Sequence, residues 1–124
     1  MGYSMEQRNS EFKIKKENIG LAHDALKMLD DVVWAEVKDI RKSRTLFEAF
    51  DEMRWALDVN SDGDVDGIQF EGEKAGGDEL HYFGLIAPYV EKGSFIEMMG
   101  EDGSLWRWVF DGETCEEISP KVEW

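Results

Sequence analysis

The apolar residues of the N-terminal half follow helical spacing in two segments. The first segment has apolar residues at i, i+3, i+4 and i+7 after Asn18, whose side chain can cap a helix. Its apolar stripe consists of Ala22, Ala25, Leu26 and Leu29. The second segment opens with Thr45 and Glu48, which have the spacing of a capping box and predict a helix to about residue 57. Its stripe consists of Leu46, Ala49, Phe50, Met53 and Leu57.

Strand-like alternation is short in this half. Residues 11–16 place Phe12 and Ile14 on one side and charged residues on the other, which predicts a strand. Residues 1–10 lack any period and predict a flexible N-terminal segment. Residues 32–40 fit a strand or a helical face, and their Ala, Glu and Lys content favours the helix.

The middle of the C-terminal half predicts a strand and then a helix. Residues 68–70 alternate as a strand. Asp78 can cap a helix that ends near Ala87, because Pro88 lacks an amide hydrogen and restricts the residue before it. The apolar residues of this segment are Leu80, Phe83, Ala87 and Val90.

The last thirty residues predict an antiparallel meander. Its strands are expected at residues 95–99, 105–110 and 114–118, with a further edge strand at residues 121–124. Asp111 and Gly112 form the sequence signal of a type I′ hairpin turn.

This order of elements predicts an α+β fold. The expected architecture is an antiparallel sheet with a C-terminal meander of three to four strands and two or three helices packed on one face. Residues 11–124 should form a single domain, because the chain contains no repeat or linker and 124 residues suit one core.

The charge is strongly acidic and unevenly distributed. The chain has a formal net charge of -14 at pH 7. Residues 1–57 contain 10 Lys plus Arg against 11 Asp plus Glu, a net charge of -1, whereas residues 58–124 contain 4 against 17, a net charge of -13. This balance argues against direct nucleic-acid binding and against an anionic membrane as partner. A single Cys and the absence of a signal-like apolar run favour a cytoplasmic protein.

Residues 58–69 resemble the calcium loops of EF-hand and dockerin modules. Oxygen-bearing side chains occupy positions one, three, five and nine of the loop, with Gly63 at position six for the sharp turn. Gln69 stands at position twelve, where a bidentate Glu is usual, and a strand follows instead of a helix. The alternative is an acidic turn between two regular elements. The candidate calcium ligands, the only cofactor contacts that the sequence suggests, are Asp58, Asn60, Asp62, Asp64 and Asp66.

A second candidate site lies on the predicted strand at residues 105–110. Trp106 and Trp108 share one face of that strand and Arg107 points to the other. Trp and Arg are favoured at interaction hot spots, which predicts a partner-binding patch. The alternative is that the two Trp side chains fill the core between sheet and helices while Arg107 pairs with a carboxylate.

Residues that could catalyse a reaction are few. His23 and His81 have no spacing that suggests a metal pair or a nucleophile with its base, and Cys115 lies among carboxylates that disfavour its thiolate. No phosphate-binding loop or nucleophile elbow occurs in the sequence. The sequence therefore predicts a protein that is not an enzyme.

Five short segments characterise the C-terminal part of the chain: Ala-Pro-Tyr-Val at 87–90, Gly-Ser-Phe-Ile-Glu at 93–97, Gly-Glu-Asp-Gly at 100–103, Trp-Arg-Trp-Val-Phe at 106–110 and Val-Glu-Trp at 122–124. Together they resemble a group of small, acidic, uncharacterised proteins of bacteriophages and their bacterial hosts. The resemblance spans about residues 45–124 and includes the helix start at Thr45. It implies a bacterial cytoplasm and a phage-encoded accessory protein, and it supplies no catalytic residues.

Charge and resemblance together predict an acidic protein–protein interaction module. It would act on the basic surface of a host protein, as a phage or prophage accessory or inhibitor protein, with residues 58–124 steering the association. Calcium binding at residues 58–69 is the alternative function. The chain is expected to be a monomer or a homodimer.

Overall fold

The computed structural model describes residues 4–28, 41–73 and 79–119. Within these ranges the fold is α+β, as the sequence predicts. Its helices include α1 (Lys16–Leu26), α2 (Leu46–Glu52) and α3 (Glu79–Ile86), the last followed by a short 3-10 turn (Ala87–Tyr89). Its strands are β1 (Met5–Glu11), β2 (Trp55–Val59), β3 (Val65–Phe70), β4 (Phe95–Gly100), β5 (Leu105–Phe110) and β6 (Cys115–Ile118). No helix in the described ranges is both long enough and apolar enough to cross a membrane.

The main sheet has four antiparallel strands in the order β1-β4-β5-β6. The predicted C-terminal meander is confirmed as β4, β5 and β6, with Ile96 opposite Trp108 and Phe110 opposite Cys115. The hairpin at Asp111 and Gly112 is also present, but its predicted type I′ turn is wrong. Gly112 has a positive φ of 96° and Asp111 does not. Instead, the Asp111 carboxylate accepts hydrogen bonds from the amides of Glu113 and Thr114 at 2.8 and 2.7 Å.

The N-terminal strand is displaced from its predicted position. Residues 5–10, expected to be flexible, belong to β1, which pairs with β4. Of the strand predicted at residues 11–16, only Glu11 lies in β1. Most side chains of β1 are polar and only Met5 is buried, so the segment shows no apolar alternation. Backbone pairing with β4 stabilises β1, and apolar patterning cannot reveal that contribution.

A second, two-stranded sheet pairs β2 with β3. The amide side chain of Gln7 joins it to the main sheet: Gln7 Nε2 donates to Ile68 O at 2.8 Å, and Phe70 N donates to Gln7 Oε1 at 2.7 Å. Ile14 and Val65 add a backbone bridge between the same two regions. The side chain of Gln7 thus occupies the place that a neighbouring strand would fill beside β3.

Two predicted helix boundaries need correction. The capping box is confirmed, because Thr45 Oγ1 accepts from Glu48 N at 3.1 Å and Glu48 Oε1 accepts from Arg44 N at 2.9 Å. However, α2 ends at Glu52 instead of near residue 57, and the chain reverses at Arg54, whose φ is 70°. Trp55 then starts β2, since pairing with Phe70 and burial in the core outweigh the helical propensity of this stretch.

The first helix begins earlier than predicted. It starts at Lys16, so Asn18 lies inside its first turn and is not the cap. By contrast, α3 stops at Ile86, as Pro88 predicts. The predictions for residues 32–40, for Asp78 and for residues 121–124 lie outside the described residues.

The core is rich in aromatic rings and centres on Phe83 of α3. Its ring lies 4.8 to 6.5 Å, centroid to centroid, from six other aromatic rings. These rings belong to Phe12, Phe50, Trp55, Tyr82, Trp108 and Phe110. They come from α2, β2, α3, β5 and the segment after β1, so one side chain links both sheets to the helices.

Candidate functional site

The candidate calcium loop forms the turn of the β2–β3 hairpin. Asp58 belongs to β2 and Asp66 to β3, so the turn itself spans only residues 60–64. Asn60 Oδ1 accepts hydrogen bonds from Asp62 N at 2.9 Å and from Asp64 N at 3.1 Å, and Gly63 has a φ of 90°. The side chain of Asn60 therefore organises the turn, as Asn side chains do in turns without metal.

Asp64 connects this turn to α1. Its Oδ1 accepts the amide of Lys16 at 2.8 Å, at the first residue of the helix. A carboxylate there satisfies a free amide and interacts favourably with the positive end of the helix dipole. Asp64, from a distant part of the chain, thus caps α1, a role that the sequence suggests for Asn18.

Three of the five candidate ligands therefore already accept hydrogen bonds within the protein. Asn60 and Asp64 accept backbone amides, and Asp58 Oδ2 accepts from Gln69 Nε2 at 3.3 Å. Within the described ranges, no group of three or more His, Cys, Asp or Glu side chains is placed to hold a metal ion. Calcium binding by this loop stays a prediction. A bound ion would have to share oxygen atoms that already accept backbone amides.

The Asp64→Ala substitution distinguishes a helix-capping role of Asp64 from a metal-binding role. We expect Asp64→Ala to lower the free energy of unfolding by about 1 kcal/mol, the usual cost of losing a helix cap, in EDTA as well as in millimolar calcium. Urea titrations under both conditions measure it. Asp66→Ala is the matched control, because Asp66 is exposed on β3. A loss that appears only with calcium, in both variants, would instead identify a metal site.

The second candidate site divides between the two faces of the main sheet. Trp108 is buried, contacts Phe83 and donates from Nε1 to Glu117 Oε1 at 2.8 Å. Trp106 is half-buried and packs edge-on against Trp108 at 6.0 Å. Trp108, 2% exposed, presents no surface that a partner could reach in this structure. The arrangement matches the alternative in which the two Trp side chains fill the core.

Arg107 lies on the opposite, outer face of the sheet, as its alternation predicts. Its guanidinium contacts Glu97 Oε1 at 2.9 Å and lies 4.4 Å from the centre of the Phe95 ring. Arg8 of β1 contacts Glu97 Oε2 at 3.3 Å. Glu97 is only 4% exposed, so the pairing with two cations compensates the cost of burying its charge. Arg107 therefore has its carboxylate partner and ties β5 to β4, and Glu97 in turn ties β4 to β1 through Arg8.

The two histidines are not brought together. His81 is exposed, whereas His23 is buried with its Nε2 2.8 Å from Ser43 Oγ. A shallow cleft of about 320 Å³ between β1 and β3 contains neither histidine. It is lined by Gln7, Arg8, Ser10, Asp58, Gly67, Ile68 and Gln69. The His23–Ser43 contact accordingly joins α1 to the segment before α2.

His23 should make folding stability depend on pH. Burial lowers its pKa below the usual 6.5, with a further contribution from Lys27, because both disfavour the imidazolium form. The folded state then binds this proton less readily than the unfolded state. The stability contributed by His23 is complete above pH 6.5 and is lost as the pH falls below it.

Urea titrations of wild type and His23→Gln between pH 8 and pH 5 measure this effect. We expect the stability advantage of wild type over the variant to shrink on acidification. His81→Gln, which removes an exposed imidazole, is the matched control. If the free energies of unfolding of wild type and His23→Gln differed by the same amount at every pH, the lowered pKa of His23 would be contradicted.

Cys115, on β6, is a poor nucleophile. Burial, with smaller contributions from the carboxylates of Glu117, Glu116 and Asp111, raises the pKa of its thiol to about 12. The sequence context of Cys115, among acidic residues, predicts the direction of this shift. Its partial burial comes from the fold.

The carboxylates of the C-terminal half are mostly exposed. Ten exposed carboxylates in the described part of residues 58–119 form no ion pair with a described cation. They are Asp58, Asp62, Asp66, Glu71, Glu73, Glu101, Asp111, Glu113, Glu116 and Glu117. Four of them flank or occupy β6, the last strand of the main sheet. Most of the negative charge in the described part of this half is therefore presented to solvent, and Glu97 is an exception that pairs internally with Arg107 and Arg8.

Comparison with known proteins gives no relative: no family model, no curated protein and no solved structure matches the chain.

Proposed function

We propose that the chain is an acidic protein–protein interaction module that binds a basic surface of a partner protein. The observation that supports this is the set of exposed, unpaired carboxylates between residues 58 and 119 of the described chain. Unpaired charges of one sign extend an electric field into solvent and accelerate encounter with a partner of opposite sign. They also cost stability through mutual repulsion, which a binding role would offset.

The biological setting of the proposal follows the sequence resemblance. A phage or prophage accessory protein that blocks a basic surface of a host protein in the bacterial cytoplasm would use this charge. Many such host surfaces are basic because they bind nucleic acid, and an acidic module can occupy them without touching nucleic acid itself.

The salt dependence of association with a partner tests the proposal. A partner is first captured from bacterial lysate at low salt, identified and purified, and its association rate with the chain is measured against salt concentration. We expect a basic partner and a rate that falls about tenfold or more between 50 and 300 mM salt. An association rate that is insensitive to salt would refute electrostatic steering.

Two matched triple variants locate the charge. We expect Asp66→Asn, Glu113→Gln and Glu116→Gln together to reduce the association rate several-fold at low salt. Glu6→Gln, Glu17→Gln and Asp24→Asn together make the same change of net charge within the nearly neutral N-terminal half. Equal effects of the two triple variants would show that only the total charge matters.

A further inference from the structure

The free side of β6 is a row of backbone hydrogen-bonding groups at the edge of the main sheet. Within the described ranges, β6 pairs only with β5. Glu116, Glu117 and Ile118 are all exposed. A row of unpaired amide and carbonyl groups is a template for another strand.

The register identifies which groups point outward. Phe110 N donates to Ser94 O and Gly93 N donates to Phe110 O, so the backbone of Phe110 faces away from β6. Phe110 and its partner Cys115 therefore form a non-hydrogen-bonded pair, and the next pair, Val109 with Glu116, is hydrogen-bonded. The amides and carbonyls of Cys115 and Glu117 consequently point away from β5.

The side chains around this edge determine which strand it can accept. Asp111, Glu113, Glu116 and Glu117 lie on β6 or in the turn that precedes it, and all are exposed. Like charges placed opposite each other are unfavourable, so these carboxylates oppose pairing with β6 of a second copy. Opposite charges placed across two strands are favourable, so the same carboxylates suit a strand that carries Lys or Arg.

We propose that β6 accepts an extended basic segment of the partner as an additional strand of the main sheet. The amides and carbonyls of Cys115 and Glu117 would form the backbone hydrogen bonds, and Glu116 would lie opposite basic side chains on the outer face. This mode of recognition takes affinity from the backbone and specificity from alternate side chains. It rests on the proposed function and specifies the form of the basic surface.

Peptides of defined charge and backbone test this assignment on the full chain. The probe is a short peptide of alternating Lys and Thr. Two controls accompany it: a peptide of alternating Glu and Thr reverses the charge, and a peptide of alternating Lys and Pro keeps the charge but lacks half of the backbone donors. Binding is followed by chemical shift changes, and hydrogen exchange is measured at the amides of Cys115 and Glu117.

We expect the Lys-Thr peptide to bind at low salt and to slow exchange of both amides at least about tenfold, and the two control peptides to cause no slowing. Glu116→Lys should weaken binding about tenfold, because an attractive cross-strand pair becomes repulsive. Glu6→Lys, an equal charge change on the far edge strand β1, should weaken binding much less than Glu116→Lys, since three strand spacings, about 14 Å, separate β1 from β6.

Four results would overturn the assignment. Equal binding of the Lys-Thr and Lys-Pro peptides without amide protection would refute strand addition but leave the electrostatic module intact. Failure of both basic peptides to bind would count against the strand and the module together. Amides already protected in the free chain would mean that another segment of the same chain covers β6. Protection that rises with protein concentration alone would assign the edge to a second copy.

Discussion

Replacing Phe83 by Ala should destabilise the fold more than any other single truncation considered, by about 3–5 kcal/mol. The side chain is fully buried and contacts rings from both sheets and from α2. Its loss leaves a cavity that rigid aromatic neighbours cannot collapse to fill. Domains of this size are stable by about 5–15 kcal/mol, so the variant should melt at least ~10 °C lower.

Leu80→Ala is the matched control for this prediction. Leu80 lies on the same helix and is 42% exposed, so we expect a change within about 0.5–1 kcal/mol. Thermal and urea unfolding of the two variants measure the contrast. Similar losses for Leu80 and Phe83 would mean that Phe83 is not the centre of the core.

Native Cys115 should react with iodoacetamide about a hundredfold more slowly at pH 8 than the same thiol in urea. A pKa of about 12 leaves roughly one thiol in ten thousand ionised at that pH, against about a quarter for an ordinary thiol. The greater intrinsic nucleophilicity of a more basic thiolate offsets part of this difference.

The pH dependence of the alkylation rate distinguishes a high pKa from simple steric protection. For a raised pKa, the native rate should increase about tenfold per pH unit through pH 10 without reaching a plateau. The rate in urea should level off above about pH 9. A native profile that levels off at the same pH as the unfolded one would show that access alone slows the reaction, and would contradict the raised pKa.

Local sequence signals predict elements whose stabilising interactions are close in the chain. The capping box at Thr45, the stop at Pro88 and the meander β4–β5–β6 depend on neighbours a few residues away, and all three occur in the structure. The pairing of Glu97 with Arg107 could also have been found. Once the turn at residues 100–103 is recognised, counting outward from it places the two residues opposite each other.

Elements that depend on distant partners were not predictable in this way. The strand β1 requires β4, some ninety residues later, and its own side chains carry no apolar pattern. Trp55 leaves the helical pattern because Phe70 pairs with it, and the cap of α1 comes from Asp64 instead of a residue beside the helix. In each case a tertiary contact overrides a local preference, which a single-sequence argument cannot weigh.

The same consideration applies to the candidate sites. The sequence placed acidic oxygens at residues 58–66, but their hydrogen bonds to Lys16 and Gln69 depend on the way the hairpin lies against α1 and on its own register. Alternation correctly separated Arg107 from the two Trp side chains. It could not show that Arg8 joins Glu97, because β1 was predicted to be flexible.

The position of β1 in the sheet has a consequence for the order of folding. Met5 pairs with Gly100 and Glu11 with Phe95, so β1 is synthesised some ninety residues before the strand with which it pairs. During that interval β1 has no strand to pair with. Contacts of such long sequence separation slow folding, and a growing chain with an unpaired strand is exposed to misassociation. Closure of the sheet by β1 is therefore a late event, after synthesis of β4.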